Sequence, residues 1–399
     1  MVVPKLRFKG FTGEWDKIKL SQIADIIKDK NDGAEHPVMM LSAVKGFINQ
    51  QEKYSKDNAG SSLKKYTLLR RGDLAYNRGN SKLKKYGCIF ELENSSALVP
   101  YVYHCFRMKN GNSTFYGNYL NSGKIDKELR GIISSSARMD GLLNVSEKDF
   151  VNILVSKPIL SEQQKIADFL TTFDKRITAQ QNIVADLEET KKGLLQKIFS
   201  QEIRFKDDNG QDYPDWEEKR IKDLGEIVTG NTPSTKVKSY YENGTILWVT
   251  PTDISDEMYI FDTERKLTSL GINKAHFLPK GSVLITCIAS IGKMTILGED
   301  GSCNQQINAI IPNSDNDSIF ILSLLRTLVP VMFIFAGKTA TPIINKKTFS
   351  RIKCFVPCLA EQQKIADFLS TFDKKITAEK QVLSDLQEMK KGLLQQMFV

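Results

Sequence analysis

The feature that most constrains this chain is a stretch of forty residues that occurs twice. Residues 161–200 read SEQQKIADFLTTFDKRITAQQNIVADLEETKKGLLQKIFS, and residues 360–399 read AEQQKIADFLSTFDKKITAEKQVLSDLQEMKKGLLQQMFV. At an offset of 199 residues the two copies agree at 26 of 40 positions, whereas the segments before them share much less. The repeat predicts two similar halves whose globular parts have diverged.

Both copies have the apolar spacing of a long helix that packs against another helix. The apolar positions of the first copy are Ile166, Leu170, Phe173, Ile177, Val184, Leu187, Leu194 and Ile198. Those of the second copy are Ile365, Leu369, Phe372, Ile376, Leu383, Leu386, Leu393 and Met397. Two slots of each apolar stripe are polar, namely Gln180 and Lys191 in the first copy and Glu379 and Lys390 in the second. Two stripes of equal length most simply bury each other.

Connectivity predicts that the two helices run antiparallel, because the first leads away from one globular domain and the second leaves the other. At 1.5 Å per residue each helix spans roughly 55 Å. The expected fold class is α+β, with two mixed α/β domains separated by this intramolecular coiled coil and related by a pseudo-two-fold axis. The expected segments are a first domain (1–159), a central helix (160–200), a second domain (201–358) and a C-terminal helix (359–399).

The globular segments contain short apolar runs that are typical of strands. In the first domain we predict strands within residues 73–77, 86–92 and 99–108, and a helix within 121–129. In the second domain we predict strands within 246–250, 282–288 and 307–311, and a helix within 319–327 that ends in a turn near Pro330. The domains are therefore expected to mix both kinds of element.

Positive charge is concentrated in the first half of the chain. The whole chain has a formal net charge of +9, and residues 1–200 carry 32 basic and 22 acidic side chains, which gives +10. Residues 53–107 alone hold 11 basic and 4 acidic side chains, interleaved with tyrosine and asparagine. This pattern favours a nucleic-acid-binding face over an ordinary solvated surface.

Motifs for catalysis are missing from the sequence. There is no phosphate-binding GxxxxGK[ST] loop, no strand-linked GxGxxG and no Asn-Pro-Pro-aromatic motif of amino-methyltransferases. The six cysteines form no CxxC pair, and three histidines are too few to favour zinc sites or nucleophilic triads. We expect free thiols, a cytoplasmic protein, and neither a signal peptide nor a membrane span.

Several motifs together resemble one family. They are the paired EQQKIADFL(T/S)TFDK helices, the opening LRFKGFTGEW, the Gly230-Asn231-Thr232-Pro233-Ser234 turn and Cys303-Asn304-Gln305-Gln306. The chain resembles the specificity subunit of type I restriction-modification enzymes over essentially its whole length. The Gly-x-Thr-Pro turn occurs only in the second half, so the resemblance implies that the first domain belongs to a different recognition subtype.

The resemblance implies a DNA reader without catalytic activity of its own. Each domain would bind one half of a bipartite, asymmetric site in double-stranded DNA, and the helices would separate the domains and set the spacer. Two methyltransferase subunits would dock on the chain, with restriction and translocase subunits joining through the complex. The chain itself would bind no cofactor, because S-adenosylmethionine, ATP and magnesium would belong to these partners.

Candidate DNA contacts follow from side-chain chemistry, since lysine and arginine bind phosphates, arginine pairs with guanine and asparagine pairs with adenine. In the first domain the candidates are Lys64, Lys65, Arg70, Arg71, Asn77, Arg78, Asn80, Lys82, Lys84, Lys85 and Arg138. In the second domain they are Thr232, Ser234, Lys236, Lys238, Lys293, Gln305, Gln306, Lys338, Thr339 and Thr341.

Two other classes of function remain open from the sequence. One is a stand-alone DNA-modifying enzyme or nuclease, which the missing motifs disfavour. The other is a coiled-coil interaction protein without a DNA function, which the basic segment 53–107 disfavours.

Overall fold

A computed structural model describes residues 3–50, 60–79, 84–133, 143–337 and 342–399. The chain divides into two compact units. The first unit comprises Met1–Gln181 with Val382–Val399, and the second comprises Asn182–Gln381. Each unit therefore contains about half of each long helix, and the first unit is made of two segments that are far apart in the sequence.

The first unit contains short strands, short helices and the beginning of a long helix. Its strands are β1 (Asp16–Lys19), β2 (Ala24–Ile26), β3 (Met39–Ser42), β4 (Gly46–Asn49), β5 (Thr67–Arg70), β6 (Leu74–Asn77), β7 (Cys88–Glu91), β8 (Ser96–Val99), β9 (His104–Met108) and β10 (Leu154–Lys157). Its helices are α1 (Ser113–Asn121), α2 (Asp126–Ile132), α3 (Glu147–Val151) and the first part of α4 (Leu160–Phe199).

The second unit repeats this plan with longer connections. Its strands are β11 (Glu217–Arg220), β12 (Gly225–Thr229), β13 (Ile246–Val249), β14 (Tyr259–Ile260), β15 (Lys266–Leu267), β16 (Val283–Thr286), β17 (Met294–Leu297), β18 (Gly301–Cys303), β19 (Ile307–Pro312) and β20 (Lys353–Val356). Its helices are α5 (Ser269–Ile272), α6 (Ser318–Ala336), α7 (Lys346–Ser350) and the first part of α8 (Leu359–Met397).

The main sheets of the two units have matching centres. The order is β2–β9–β6–β7 in the first unit and β12–β19–β16–β17–β14 in the second. In both sheets the three shared neighbour pairs are antiparallel. Strands β2, β9, β6 and β7 thus correspond to β12, β19, β16 and β17. The predicted mixed α/β domains are confirmed.

Most strands predicted from the sequence are confirmed, and two elements of the first unit are divided. Residues 99–108 form the end of β8, a turn at 100–103 and β9, because Pro100 lacks an amide hydrogen for the sheet. The single helix predicted within 121–129 is wrong. Helix α1 ends at Asn121 and α2 begins at Asp126, because Gly123 adopts a φ of +88° that ends a helix.

The apolar helix α6 is longer than predicted. It continues through Pro330 to Ala336, although proline leaves the carbonyl of Arg326 without its usual intrahelical donor. Asp317 caps its beginning, and Phe320 and Leu324 are buried in the core of the second unit. Among the described residues, α6 has the length and composition of a membrane span, and 39% of its apolar window is buried within the fold.

The long helices run antiparallel, as predicted. In the core of the first unit, Ile166 from the beginning of α4 joins Met397 from the end of α8. In the core of the second unit, Ile198 from the end of α4 joins Ile365 from the beginning of α8. The apolar stripes read from the sequence therefore continue into both domain cores.

The repeated Glu-Gln pair at the start of α4 ties three segments of the first unit together. The guanidinium of Arg7 donates to both carboxylate oxygens of Glu162, at 2.7 and 2.8 Å, and Trp15 Nε1 donates to the same carboxylate at 3.2 Å. The neighbouring Gln163 accepts a hydrogen bond at 2.9 Å from the backbone amide of Asn112, which caps α1. Glu162 and Gln163 are fully buried, so this contact fixes the N-terminal arm and α1 against α4.

The second unit builds the same contact at the start of α8. Arg204 donates to both oxygens of Glu361 at 2.9 and 3.0 Å, and Trp216 Nε1 donates at 3.1 Å. Gln362 accepts from the backbone amide of Asp317, the cap of α6, at 3.0 Å. The repeated EQQ sequence is therefore explained by internal packing.

Candidate nucleic-acid interface

Strand register brings several loops of the second unit to one end of its sheet. Thr229 at the end of β12 pairs with Asn308, and Thr286 at the end of β16 pairs with Ile307. The segments after Thr229 and Thr286 and the segment before Ile307 consequently lie together. We call this edge, formed by residues 230–234, 287–293 and 304–306, the second loop end.

The Gly-Asn-Thr-Pro turn is built into the second loop end by close packing. A Cβ at Gly230 would lie 2.3 Å from the carbonyl oxygen of Cys303, which only glycine avoids. The side chain of Asn231 donates to the carbonyl of Lys274 and accepts from the amide of His276, both at 2.8 Å. The carbonyl of Asn231 accepts from Trp248 Nε1 at 3.2 Å. Gly230 and Asn231 thus shape the loop, and Thr232 and Ser234 are exposed on either side of the buried Pro233.

Four predicted residues are brought together at this edge. Thr232 Oγ1 donates to Gln305 Oε1 at 2.6 Å, and both side chains are exposed. Gln306 is half-buried, and its carbonyl accepts from the amide of Cys287 at 2.8 Å. Lys293 is exposed, with its ammonium 3.2 Å from the carbonyl of Pro251. The arrangement presents one cation with hydroxyl and amide groups, a set suited to phosphates and base edges.

Three further predicted residues of the second unit lie at this edge or on the loop just after it. Ser234, Lys236 and Lys238 are exposed on the loop that follows the turn, where Lys238 approaches Glu242 to 3.6 Å. Lys338, Thr339 and Thr341 lie outside the described residues. The chain directly after them is held at the second loop end, because the amide of Ala289 donates to the carbonyl of Pro342 at 3.0 Å.

The first unit has an equivalent loop end. Asn77 at the end of β6 pairs with Cys88, and His104 at the start of β9 pairs with Tyr76. Thr67 at the start of β5 pairs with Val99, which precedes the turn at 100–103. We call this edge, formed by residues 63–66, 77–79, 84–87 and 100–103, the first loop end. It contains the predicted Lys64, Lys65, Asn77, Arg78, Lys84 and Lys85.

Arg78 holds neighbouring segments of the first loop end together. Its Nε and Nη2 donate to the carbonyl of Val102 at 3.1 and 3.0 Å, and its Nη1 donates to the carbonyl of Val145 at 2.9 Å. Its own carbonyl accepts from the amide of Leu143 at 2.9 Å. Reading a base edge, the role predicted from the sequence, would require some of these bonds to be exchanged.

The remaining predicted residues of this edge divide into half-buried and exposed groups. The Asn77 side chain donates to the carbonyl of Leu41 at 3.2 Å. Lys84 Nζ donates to the carbonyl of Asn121 at 2.6 Å, and burial lowers the pKa of this lysine. Lys64, Lys65 and Lys85 are exposed and remain the cations best placed to meet phosphates.

Other predicted residues are not brought to this edge. Arg70 and Arg71 lie at the opposite end of β6, about 10 Å or more away at the rise of an extended strand. Arg70 lies 3.6 Å from Asp32, and both side chains are about half exposed. Asn80, Lys82 and Arg138 lie outside the described residues.

One residue of the first loop end was missed from the sequence. Tyr101 is 59% exposed at the turn between β8 and β9, beside the carbonyl held by Arg78. The available signal was weak: Pro100 predicts the end of a strand, but it does not predict that the residue after it is exposed. Among the described residues, no group of three or more His, Cys, Asp or Glu side chains could hold a metal ion.

Comparison with known proteins assigns the family. The sequence profile of the type I restriction modification DNA specificity domain matches residues 13–189 and again residues 213–388, which together make up most of the chain. The chain belongs to the type I restriction-modification DNA specificity family. The resemblance noted in the sequence is thereby confirmed, and the repeat coincides with two copies of this domain.

Named relatives agree with this family. The chain is similar to the type I restriction enzyme MjaIX specificity subunit of Methanocaldococcus jannaschii, with 33% identity over 52% of this chain and 49% of that protein. It is also similar to the MjaVIII specificity subunit of the same organism, with 23% identity over 96% of this chain and 91% of that protein. The first of these alignments spans about half of the relative's length.

Solved structures share the fold. The type I restriction-modification system S subunit from M. genitalium superposes with a TM-score of 0.57 and 15% identity, covering 100% of this chain and 99% of that one. A chain from a structural study of complex assembly and conformational transition of the type I R-M system gives 0.56 and 17%, covering 95% and 96%. At these identities the likeness supports the architecture of a specificity subunit.

Proposed function

We propose that this specificity subunit reads a bipartite, asymmetric site in double-stranded DNA, one half-site with each loop end. The observation that carries this proposal is that one framework presents two different sets of side chains. The first loop end offers exposed cations from Lys64, Lys65 and Lys85, and the second offers Thr232, Gln305 and a single cation, Lys293. Two unlike readers in one chain suit a target whose halves differ.

We also propose which subunits bind this chain and which of them carry out catalysis. Two methyltransferase subunits dock on the chain, and restriction and translocase subunits join through them in the cytoplasm. S-adenosylmethionine, ATP and magnesium are bound by those partners, and this chain contributes recognition without catalysis. The repetition of the long helices supports two equivalent docking positions, since a repeated surface can receive the same partner twice.

The decisive experiment maps methylated bases across the genome of cells that express this chain with its methyltransferase. The expected result is one asymmetric motif made of two short blocks and a spacer of any sequence. Exchanging the second unit's recognition loops for those of a relative should change one block only. A palindromic motif, or methylation independent of this chain, would contradict the proposal.

The two alternative functions are tested with purified protein. A stand-alone nuclease or modification enzyme predicts cleavage or methylation by this chain alone when magnesium or S-adenosylmethionine is added. An interaction protein without a DNA function predicts no salt-dependent binding to duplex DNA, even with the methyltransferase present. For a reader that contacts phosphates, we expect the logarithm of the binding constant to fall steeply and linearly with the logarithm of the salt concentration.

A further inference from the structure

The turn between β8 and β9 presents an open aromatic ring at the first loop end. The amide of Tyr103 donates to the carbonyl of Pro100 at 3.1 Å, which closes a four-residue turn. Tyr101 occupies the second position of this turn and is 59% exposed. More than half of the surface of this residue stays in contact with water, so its ring remains available to a ligand.

The backbone that carries this ring is fixed from two directions. The guanidinium of Arg78 donates two hydrogen bonds to the carbonyl of Val102, the residue after Tyr101. Tyr103 is buried, and its hydroxyl accepts from the amide of Leu41 at 3.3 Å. A tyrosine on a pre-organised turn loses little conformational entropy when it binds, which is why rigid tyrosines are effective contact residues.

The corresponding position in the second unit is occupied by Gln305. Strands β8 and β9 are joined by residues 100–103, just as β18 and β19 are joined by residues 304–306. The strands that follow have matching register, since His104 pairs with the third residue of β6, Tyr76, as Asn308 pairs with the third residue of β16, Ile285. Tyr101 and Gln305 each lie three residues before these paired positions. One loop of a common framework therefore presents an aromatic ring in one unit and an amide in the other.

We propose that Tyr101 is a specificity-determining residue of the first unit, whose ring packs against a base of the first half-site, and that Arg78 is the positioning residue that holds its turn. The inference rests on the proposed function. Exposed lysines at the same edge supply phosphate contacts, and an aromatic ring adds apolar contact with a thymine methyl group in the major groove. Gln305 presents an amide where Tyr101 presents an aromatic ring, and this accounts for part of the difference between the half-sites.

The test uses the full chain assembled with its methyltransferase and a duplex library randomised at each half-site in turn. Tyr101→Ala should weaken binding roughly tenfold and relax the preference at a position of the first half-site only. Tyr101→Phe, which keeps the ring, should behave like the unmodified chain. Phe261→Ala is the matched control, because its ring is 61% exposed but follows β14 at the opposite end of the second sheet.

The positioning role of Arg78 is tested by a double-mutant cycle. Arg78→Ala should relax the same base position as Tyr101→Ala, and the double variant should lose no more binding than Arg78→Ala alone. Arg78→Lys should fail to rescue, since a lysine lacks the planar fork that donates to the Val102 carbonyl from two nitrogens and to the Val145 carbonyl from a third. Additive losses, or a loss spread over both half-sites, would contradict the positioning role.

The outcomes for Tyr101 are separable from those for the proposed function. A complex of the unmodified chain that shows no sequence preference would overturn the proposed function and this inference with it. A clear bipartite preference that Tyr101→Ala leaves unchanged at the first half-site would overturn this inference alone. Thermal unfolding of each variant shows whether the fold is intact.

Discussion

The ammonium of Lys191 on α4 donates a hydrogen bond to the carboxylate of Asp373 on α8, and Lys390 on α8 makes the same contact with Asp174 on α4. Lys191 and Lys390 are polar members of the two apolar stripes, so one of the two polar slots in each stripe is used for an ion pair between the helices. The side chain of Lys191 is 11% exposed and that of Asp373 is 28% exposed. These pairs fix the register of the antiparallel helices.

Breaking one of these pairs should destabilise the second unit. Lys191→Met removes the cation that pairs with the Asp373 carboxylate. We expect the free energy of unfolding, measured by urea titration, to fall by about 1–3 kcal/mol. The double variant Lys191→Met with Asp373→Leu should recover most of that loss, because it removes both charges. Lys380→Met is the control, since its pair with Glu188 is about half exposed and should contribute little.

Removing the buried glutamate at the start of either long helix should loosen one unit and spare the other. Glu361→Ala removes the carboxylate that accepts hydrogen bonds from the Arg204 guanidinium and the Trp216 indole. We expect the free energy of unfolding to fall by about 3 kcal/mol. Hydrogen exchange should show faster exchange in residues 201–220 of the variant. Glu162→Ala should produce the matching change near Arg7 and Trp15 in the first unit. Equally faster exchange throughout the chain would contradict the conclusion that each glutamate stabilises its own unit.

Gly230→Ala should impair recognition of the second half-site. The added Cβ would meet the carbonyl oxygens of Cys303 and Asn304 at 2.3 and 2.4 Å, so the loop must move away from β18 at a cost of about 2 kcal/mol. Half-site selection should show a weakened second block and an intact first block. Gly193→Ala on α4 is the control. A Cβ added at Gly193 would have no neighbouring atom within 4 Å, and alanine favours a helix.

Acid should weaken the first unit through His104. Burial lowers the pKa of this imidazole below 6.5, while its bond to the Val145 carbonyl acts in the opposite direction. Because the unfolded chain binds the proton more readily, the stability contribution is complete above pH 6.5 and is lost as the pH falls from there towards the lowered pKa. Urea midpoints measured between pH 7.5 and 5 should fall, and His104→Leu should flatten this slope. An unchanged slope in that variant would assign the effect to other groups.

The helices were predictable because their information is local and periodic. A three-and-four spacing suffices to predict two long helices, and the order of the segments along the chain predicts that they run antiparallel. Lys191 and Lys390 then needed only acidic partners within reach. The central strands β6, β13, β16 and β19 were predictable for a similar reason, since each is a short apolar run. Their pairing order depends on contacts distant in sequence, which local patterns do not report.

The candidate site was predictable in composition but only partly in role. Arg78 and Lys84 look like DNA contacts by their charge, yet the fold uses both to bond backbone carbonyls of other segments. Arg71 lies in the same basic stretch, but a strand of four residues separates it from the first loop end. Tyr101 gave little signal, because exposure of a single tyrosine is decided by the turn on which it lies.

The first unit is completed by residues that lie about 200 positions away in the sequence. Phe398 is buried against Phe115 and Tyr119, and the carbonyl of Val399 accepts a hydrogen bond from Ser156. On the ribosome, residues 382–399 emerge only after the second unit's segments have been synthesised. A nascent chain therefore holds an incomplete first core while residues 182–381 are translated, and a product truncated before residue 382 would expose that core to chaperones and proteases.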